Sequence, residues 1–267
     1  AVCHNYVLPK YVNANTLIIT CSYSGNTEET LTALEGALKK DAMIIGITSG
    51  GKLAKKLKAH NLQTIIIPGG LPPRSALAYP LVQLANIFDQ IQNPELSIKT
   101  RIARSAELLK SHQSEIINLA ESILAKAADK KILFYAEDQF KPTLIRACQQ
   151  LNENGKTLGF YNVIPEMNHN EIVGWAKDPK DIFALFSRSS LEHVQNAQRL
   201  NLTTKIVQSK TDSVYSITAM GNNLIEQSLF LIHLFDWLSL LVAEKKGIDV
   251  IEVEVIEQLK ADLAQNN

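Results

Sequence analysis

The segment Ser22–Thr27, Ser-Tyr-Ser-Gly-Asn-Thr, concentrates hydroxyl and amide side chains between an apolar, β-branched run and a stretch of good helix formers. Backbone N–H groups at a helix start are unsatisfied and lie at the positive end of the helix dipole. Ser22, Ser24 and Thr27 can add hydroxyl donors, and Gly25 allows the backbone to come close to a ligand. The segment therefore predicts an anion site suited to a phosphate.

A helix cap is the simpler interpretation of the same residues. Asn26 or Thr27 alone can cap the following helix, because Ser, Thr and Asn are common at helix starts. Four hydroxyl or amide side chains in six positions exceed what one cap needs. This surplus favours the phosphate site.

Arg74 follows a predicted strand and the two prolines Pro72 and Pro73, which stiffen the loop. A guanidinium is always charged and can bind a phosphate or a developing oxyanion. An ordinary surface arginine is the alternative. We also expect Ser75 to begin the next helix.

Glu153 and His169 are the candidate proton-transfer residues in the second half of the chain. Glu153 falls at the end of a predicted helix, where the dipole disfavours a charged carboxylate. A solvated helix-end glutamate is the alternative. Asn168 is expected to cap a helix with His169 in its first turn, and imidazole is a natural acid or base at neutral pH. A lone histidine is more often structural. Glu171 is not expected to share a metal with His169, because side chains two residues apart point in different directions on a helix.

Strands that alternate with helices predict an α/β protein with parallel sheets. In such sheets ligands bind beyond the carboxyl ends of the strands, where the Ser22 segment lies. Cys21 is expected to be buried in its strand, and Gly247 to cap a long buried helix. The predicted strands are 16–21, 43–48, 64–67, 131–135, 158–163, 181–186 and 205–207.

The composition excludes several classes of protein. A net charge of zero gives no general attraction to nucleic acid or to a membrane, and 46% apolar residues support a large core. The apolar stretch 229–242 is interrupted by polar residues and favours a buried helix over a membrane span. Cys3, Cys21 and Cys148 are few and odd in number, which indicates reduced thiols and a cytoplasmic location.

The turn Ser22–Thr27 resembles the phosphosugar-binding loop of SIS (sugar isomerase) domains, Ser-x-Ser-Gly-x-Thr. The sequence around Glu153, the Asn168–Glu171 run with Gly174-Trp175, and Pro72-Pro73-Arg74 resemble bifunctional phosphoglucose/phosphomannose isomerases over essentially the whole chain. The resemblance implies two SIS-type α/β/α sandwich domains and an aldose–ketose isomerase. Its substrates would be glucose 6-phosphate or mannose 6-phosphate and fructose 6-phosphate.

The resemblance also implies a role for each candidate residue. Ser22, Ser24 and Thr27 would bind the phosphate. Glu153 would move a proton between C1 and C2, Arg74 would stabilise the cis-enediolate, and His169 would help to open the sugar ring. A homodimer is implied, because this histidine comes from the partner subunit in the family. No metal or organic cofactor is implied.

Lys260 is the best match to a C-terminal lysine that takes part in ring opening in the family. The chain departs from the family where Asp249-Val250 replaces Asp-Pro, and at its start, where no Gly-Gly-Ser loop precedes Ser22. We therefore expect that an N-terminal segment is missing, that the first domain is incomplete and that it exposes a sheet edge.

The expected domains are 1–96 for the first SIS domain, 97–128 for connecting helices and 129–267 for the second SIS-like domain. Three alternatives remain open: a phosphosugar-binding module without catalysis, an inactive fragment, and another SIS enzyme such as an amidotransferase-type synthase. The last would need a glutaminase half with an N-terminal cysteine, and this chain begins with Ala1.

Overall fold

Two parallel β-sheets with flanking helices form the framework of the chain. The computed structural model describes residues 1–92, 95 and 97–265. The chain divides into two compact units, residues 1–100 and residues 101–267.

The first unit contains a three-stranded parallel sheet in the order β1-β2-β3. Fully buried aliphatic side chains such as Leu34 on a helix and Ile47 on the central strand form its core. The elements are β1 (Leu17–Ser22), α1 (Glu28–Leu38), β2 (Met43–Thr48), α2 (Gly51–Ala59), β3 (Gln63–Ile66) and α3 (Ala78–Gln92).

The expected burial of Cys21 is wrong, because this residue is exposed. Side chains alternate between the two faces of a strand, and in β1 the buried residues near Cys21 are Thr20 and Ser22. Among the described strands β1 lies at the edge of its sheet, so Cys21 also has a neighbouring strand on one side only.

The second unit contains a four-stranded parallel sheet in the order β5-β4-β6-β7. The long helix Leu224–Lys246 (α8) packs on this sheet, where the rings of Phe134 and Phe235 meet edge to face at 5.0 Å. The strands are β4 (Lys131–Glu137), β5 (Phe160–Ile164), β6 (Ile182–Arg188) and β7 (Val214–Thr218). The helices are α4 (Ile98–Ser111), which spans the boundary between the units, α5 (Gln113–Ala127), α6 (Lys141–Glu153), α7 (Val194–Gln208), α8 (Leu224–Lys246) and α9 (Glu254–Gln265).

The predicted strand 205–207 is wrong, because these residues form the end of α7. Leu200, Thr203 and Val207 are buried at helical spacing, so packing against the sheet overrides the β-branched composition of this segment. The strand at this position in the fold is β7, which begins at Val214.

The helix α8 is the central element of the second core. Asn223 caps its start by accepting two backbone N–H groups, and Gly247 ends it with φ +65°, as expected. Among the described residues it is the one helix long and apolar enough to cross a membrane, with a mean hydropathy of 1.4. Half of that stretch is buried within the structure, which is typical of a core helix.

Candidate functional site

The hydroxyl groups of the Ser22 loop bond to one another and to loop backbone. Ser22, the last residue of β1, is 6% exposed, and its Oγ shares a hydrogen bond of 2.8 Å with Thr27 Oγ1. The backbone N–H of Gly25 donates to Ser22 Oγ at 3.1 Å, and that of Asn26 donates to Ser24 Oγ at 3.3 Å. The three predicted phosphate ligands therefore lie in one turn.

Neither proposed cap binds the start of α1. Thr27 occupies the N-cap position but its side chain makes no capping hydrogen bond, and Asn26 Oδ1 instead accepts the backbone N–H of Lys52 at 3.1 Å. The first turn of α1 carries Glu28 and Glu29, which already complement the helix dipole. The simpler interpretation of Asn26 and Thr27 as caps therefore has no hydrogen bond to support it.

Gly25 is required where the loops after β1 and β2 meet. Its φ is +66°, and a Cβ at this position would lie 1.9 Å from the carbonyl oxygen of Gly50. The backbone N–H of Leu53 donates to the Gly25 carbonyl at 2.8 Å, and that of Ser49 donates to the Tyr23 carbonyl at 3.0 Å. This backbone contact fixes the shape of the Ser22 loop.

Arg74 lies in a short 3₁₀ helix, Pro73–Ser75, after β3, and its side chain is partly buried. The Tyr23 hydroxyl accepts the backbone N–H of Leu71 at 3.1 Å, which ties this loop to the Ser22 turn. Both loops follow the carboxyl ends of parallel strands, two strand spacings or about 10 Å apart. The expected helix start at Ser75 is wrong, since Ser75 Oγ donates to the Pro72 carbonyl at 2.9 Å and α3 begins at Ala78.

Glu153 is the last residue of α6 and is partly buried. The ammonium of Lys156 donates to the backbone carbonyls of Glu153 at 2.7 Å and of Glu252 at 2.6 Å, and it lies 3.4 Å from that of Asp249. These contacts hold the connection between α8 and α9 against the end of α6. The next residue, Asn154, is 5% exposed and donates to Ser239 Oγ at 2.9 Å, which fixes the helix end on α8.

His169 is exposed and ends a short 3₁₀ helix, Glu166–His169. The expected cap is wrong, because Asn170 and not Asn168 accepts the backbone N–H of Glu171 and caps the following 3₁₀ helix, Glu171–Ala176. His169 therefore precedes this second helix instead of lying in its first turn.

A buried hydrogen-bond network supports the turn that carries His169. The fully buried Tyr135 donates its hydroxyl to Glu171 Oε1 and accepts the indole N–H of Trp175 at 3.0 Å. Asn162 donates to Glu171 Oε2 at 2.6 Å. Burial, together with the bond to Glu171, raises the pKa of the Tyr135 phenol well above its ordinary value, so it remains a donor.

Glu153 and His169 lie at opposite ends of the second sheet. The helix α6 starts beyond the carboxyl end of β4 and runs back, so Glu153 lies near the amino ends of the strands. His169 follows the carboxyl end of β5. A thirteen-residue helix and a five-residue strand place the two residues on the order of 15–20 Å apart. The structure therefore does not bring them together within one chain.

Lys260 lies in α9, where it is exposed, and this helix starts just after the segment that Lys156 holds beside Glu153. In the described part of the chain no group of three or more His, Cys, Asp or Glu side chains is arranged to hold a metal ion.

The supporting residues Lys156 and Tyr135 were not found from the sequence. Lys156 has φ +45°, which nothing in the sequence Asn-Gly-Lys indicates. Tyr135 and Glu171 are thirty-six residues apart, so only the folded sheet reveals their contact.

A family model described as bacterial phospho-glucose isomerase C-terminal SIS domain matches residues 96–263. A bifunctional phosphoglucose/phosphomannose isomerase from Caldicellulosiruptor bescii is 35% identical over 98% of this chain and 80% of the relative. One from Aquifex aeolicus is 30% identical over 99% of this chain and 81% of the relative. The crystal structure of a hypothetical protein from Thermus thermophilus matches with a TM-score of 0.77 over 94% of this chain and 71% of that chain; at 15% identity this shows the fold alone.

The parallel sheets and the family model define an α/β protein of the SIS type. The two curated relatives narrow the assignment, because each is matched over nearly the whole of this chain. The chain belongs to the bifunctional phosphoglucose/phosphomannose isomerase family.

Proposed function

We propose that this protein is an aldose–ketose isomerase that interconverts glucose 6-phosphate or mannose 6-phosphate with fructose 6-phosphate. The observation that carries the proposal is the 35% identity to a relative of that name over 98% of the chain. The hydroxyls of the Ser22 loop support a phosphorylated substrate, because three of them lie in one turn and Thr27 makes no capping hydrogen bond to α1.

In the proposed reaction the substrate phosphate is held by Ser22, Ser24 and Thr27. A carboxylate at Glu153 removes the proton from C2 of the open-chain aldose, and the electron pair forms the enediolate. Arg74 stabilises the negative charge on oxygen as it develops. A proton passes from the C2 hydroxyl to O1, and the proton held by Glu153 returns to C1, which gives the ketose. The net reaction moves hydrogen between neighbouring carbon atoms and consumes no oxidant or reductant.

We place His169 and Lys260 in ring opening, with His169 supplied by the partner subunit of a homodimer. The separation of Glu153 from His169 within one chain supports this arrangement. Within one chain, the second unit has Glu153 and His169 at opposite ends of its sheet. Two copies are needed if both residues are to act on one sugar.

We also propose a cytoplasmic location. Cys3, Cys21 and Cys148 are all free, and cysteines that remain reduced are typical of this compartment. Burial raises the pKa of the Cys148 thiol to about 11, so this residue is an unreactive part of the core.

The test is a coupled assay with glucose 6-phosphate and mannose 6-phosphate separately, following fructose 6-phosphate. The variant Glu153→Gln should lower kcat by about 10²–10⁴ because it removes the base. Its affinity for the sugar phosphate should stay within about threefold, or about 0.7 kcal/mol, because no phosphate ligand is changed. The matched control is Glu121→Gln, an exposed glutamate on α5, which should leave kcat unchanged.

Near-normal turnover of Glu153→Gln would exclude Glu153 as the base while leaving the isomerase assignment intact. No turnover of either sugar by the wild type, together with a melting temperature raised by fructose 6-phosphate, would indicate a phosphosugar-binding module instead. That alternative is not favoured by the names of the relatives.

A further inference from the structure

A second Ser-x-Ser segment begins with the last two residues of strand β6 in the second unit. The segment Ser187-Arg-Ser-Ser190 lies at the end of β6 as Ser22-Tyr-Ser-Gly25 lies at the end of β1, and each segment leads into a long helix. The first serine is buried in both turns, with an exposure of 6% for Ser22 and 2% for Ser187.

The two turns also share a backbone contact with the next strand of their own sheet. The N–H of Ser49, after β2, donates to the Tyr23 carbonyl at 3.0 Å. The N–H of Ala219, after β7, donates to the Arg188 carbonyl at 2.8 Å. In each case the accepting residue is the one that follows the first serine. The second turn is therefore a counterpart of the first in its place at the end of a strand beside a neighbouring strand.

The turns differ at their fourth position, where Gly25 has φ +66° and the second turn has Ser190 without a positive φ. They also differ at their sixth position, which is Thr27 in the first and Glu192 in the second. Thr27 Oγ1 bonds to Ser22 Oγ at 2.8 Å. Ser187 Oγ is buried and has no hydrogen-bond partner in the part of the chain that the structure describes. The hydroxyl that satisfies the first serine is missing from the second turn.

The carboxylate of Glu192 occupies the second turn instead, with a side-chain exposure of 4%. Its Oε1 accepts Arg188 Nε at 3.0 Å and the backbone N–H of Ser189 at 2.7 Å, and its Oε2 accepts Arg188 Nη2 at 2.8 Å. A guanidinium fork and a loop N–H are the donors that a phosphate would use. The bond to Glu192 also raises the pKa of Arg188, so the guanidinium stays charged.

We propose that the turn 187–192 is a second phosphate-type cradle that the chain fills with its own Glu192 carboxylate. This turn therefore binds no phosphate in the wild type, although it presents the donors for one. Replacing Glu192 by threonine removes the internal anion and returns a hydroxyl beside Ser187. The cradle then accepts inorganic phosphate or a phosphate monoester. The comparison with the first turn rests on the proposed phosphate-binding role of the Ser22 loop.

The test counts bound inorganic phosphate per chain by equilibrium dialysis in four proteins: the wild type, Ser24→Ala/Thr27→Ala, Glu192→Thr, and the triple variant. We expect one, none, two and one, respectively. The matched control is Asp236→Ala, because Arg146 donates Nε and Nη2 to this carboxylate at 3.2 and 2.7 Å away from any Ser-x-Ser turn. This control should bind one phosphate, as the wild type does.

Failure of this inference can be told apart from failure of the Ser22 assignment. If folded Glu192→Thr, checked by circular dichroism, gains no phosphate, the cradle proposal is overturned. If Ser24→Ala/Thr27→Ala still binds one phosphate, the assignment of Ser24 and Thr27 fails. The cradle proposal is then tested by the triple variant, which must bind one phosphate more than this double variant, and no gain would overturn the proposal. If the wild type binds none but the triple variant binds one, the Ser22 assignment fails and the cradle proposal stands.

Discussion

Replacing Tyr135 by phenylalanine tests the network beneath the His169 turn. The change removes one hydroxyl that donates to Glu171 and accepts from Trp175. It keeps the ring, which stacks on Phe186 at 4.8 Å, so packing is preserved. The loss of stability should therefore come from hydrogen bonding.

The size of the loss follows from the two groups left behind. A hydrogen bond to a charged carboxylate contributes about 1.5–3 kcal/mol, and a buried donor without an acceptor costs about 1–3 kcal/mol. Trp175 is 3% exposed, so its N–H cannot turn to water. Glu171 is partly exposed and keeps its bond to Asn162 at 2.6 Å, which reduces its share. We expect a decrease of about 2–4 kcal/mol in the free energy of unfolding.

Urea unfolding followed by tryptophan fluorescence measures this decrease. The chain has two tryptophans, Trp175 and Trp237, both in the second unit. A Trp237→Phe background therefore makes Trp175 the reporter of its own surroundings. Tyr161→Phe on β5 is the matched control, because no hydrogen bond of its hydroxyl is found within the described residues, and it should change stability by less than about 0.5 kcal/mol.

A decrease below about 1 kcal/mol for Tyr135→Phe would refute the reasoning, because it would mean that water or another group replaces the lost hydroxyl. If the network also positions His169, kcat should fall along with stability. Unchanged kcat would separate the two roles.

Two further predictions concern the first loop and the pH response of the second core. Gly25→Ala should weaken binding of inorganic phosphate at least tenfold, because φ is +66° and the new Cβ would collide with the Gly50 carbonyl; Gly174→Ala, with open space around it, is the control, and equal affinity in both would contradict the role of Gly25. His233→Gln should make the unfolding free energy less sensitive to acid. Burial lowers the pKa of His233 below 6.5 in the fold, so its stabilisation is present above that pH and is lost as the pH falls through the folded value. Urea unfolding at about pH 7.5 and about pH 5 checks this, and parallel losses in both proteins would contradict it.

Much of the fold could be predicted because its signals are local. Buried strands such as Met43–Thr48 are short apolar runs between turns, and the structure has this strand with the same bounds. The end of α8 at Gly247 follows from the need for a left-handed residue there. The Ser22 turn was found from the sequence for the same reason, since its residues are neighbours along the chain.

The errors and omissions come from contacts between distant segments. Lys205–Val207 has the composition of a strand. It forms the end of α7 instead, because Val207 is buried at helical spacing with Leu200 and Thr203. Cys21 is exposed because its side chain lies on the opposite face of β1 from the buried Thr20 and Ser22, and composition does not report which face is buried. The support of the candidate site by Lys156 joins segments ninety-six residues apart and has no sequence signal.

The contacts of Lys156 with the segment before α9 affect ligand affinity through local unfolding of this helix. Every side chain described from Glu254 to Leu263 on α9 is exposed, so little buried surface resists fraying of this helix. The contacts of one ammonium with the carbonyls of Glu252 and Asp249 secure its start. If Lys260 binds substrate, only the fraction of molecules with α9 ordered is competent. The observed dissociation constant is then the intrinsic one divided by that fraction. Ligand binding and the protection of α9 from hydrogen exchange would then rise together. Lys260 would bind substrate in the same step in which α9 becomes ordered.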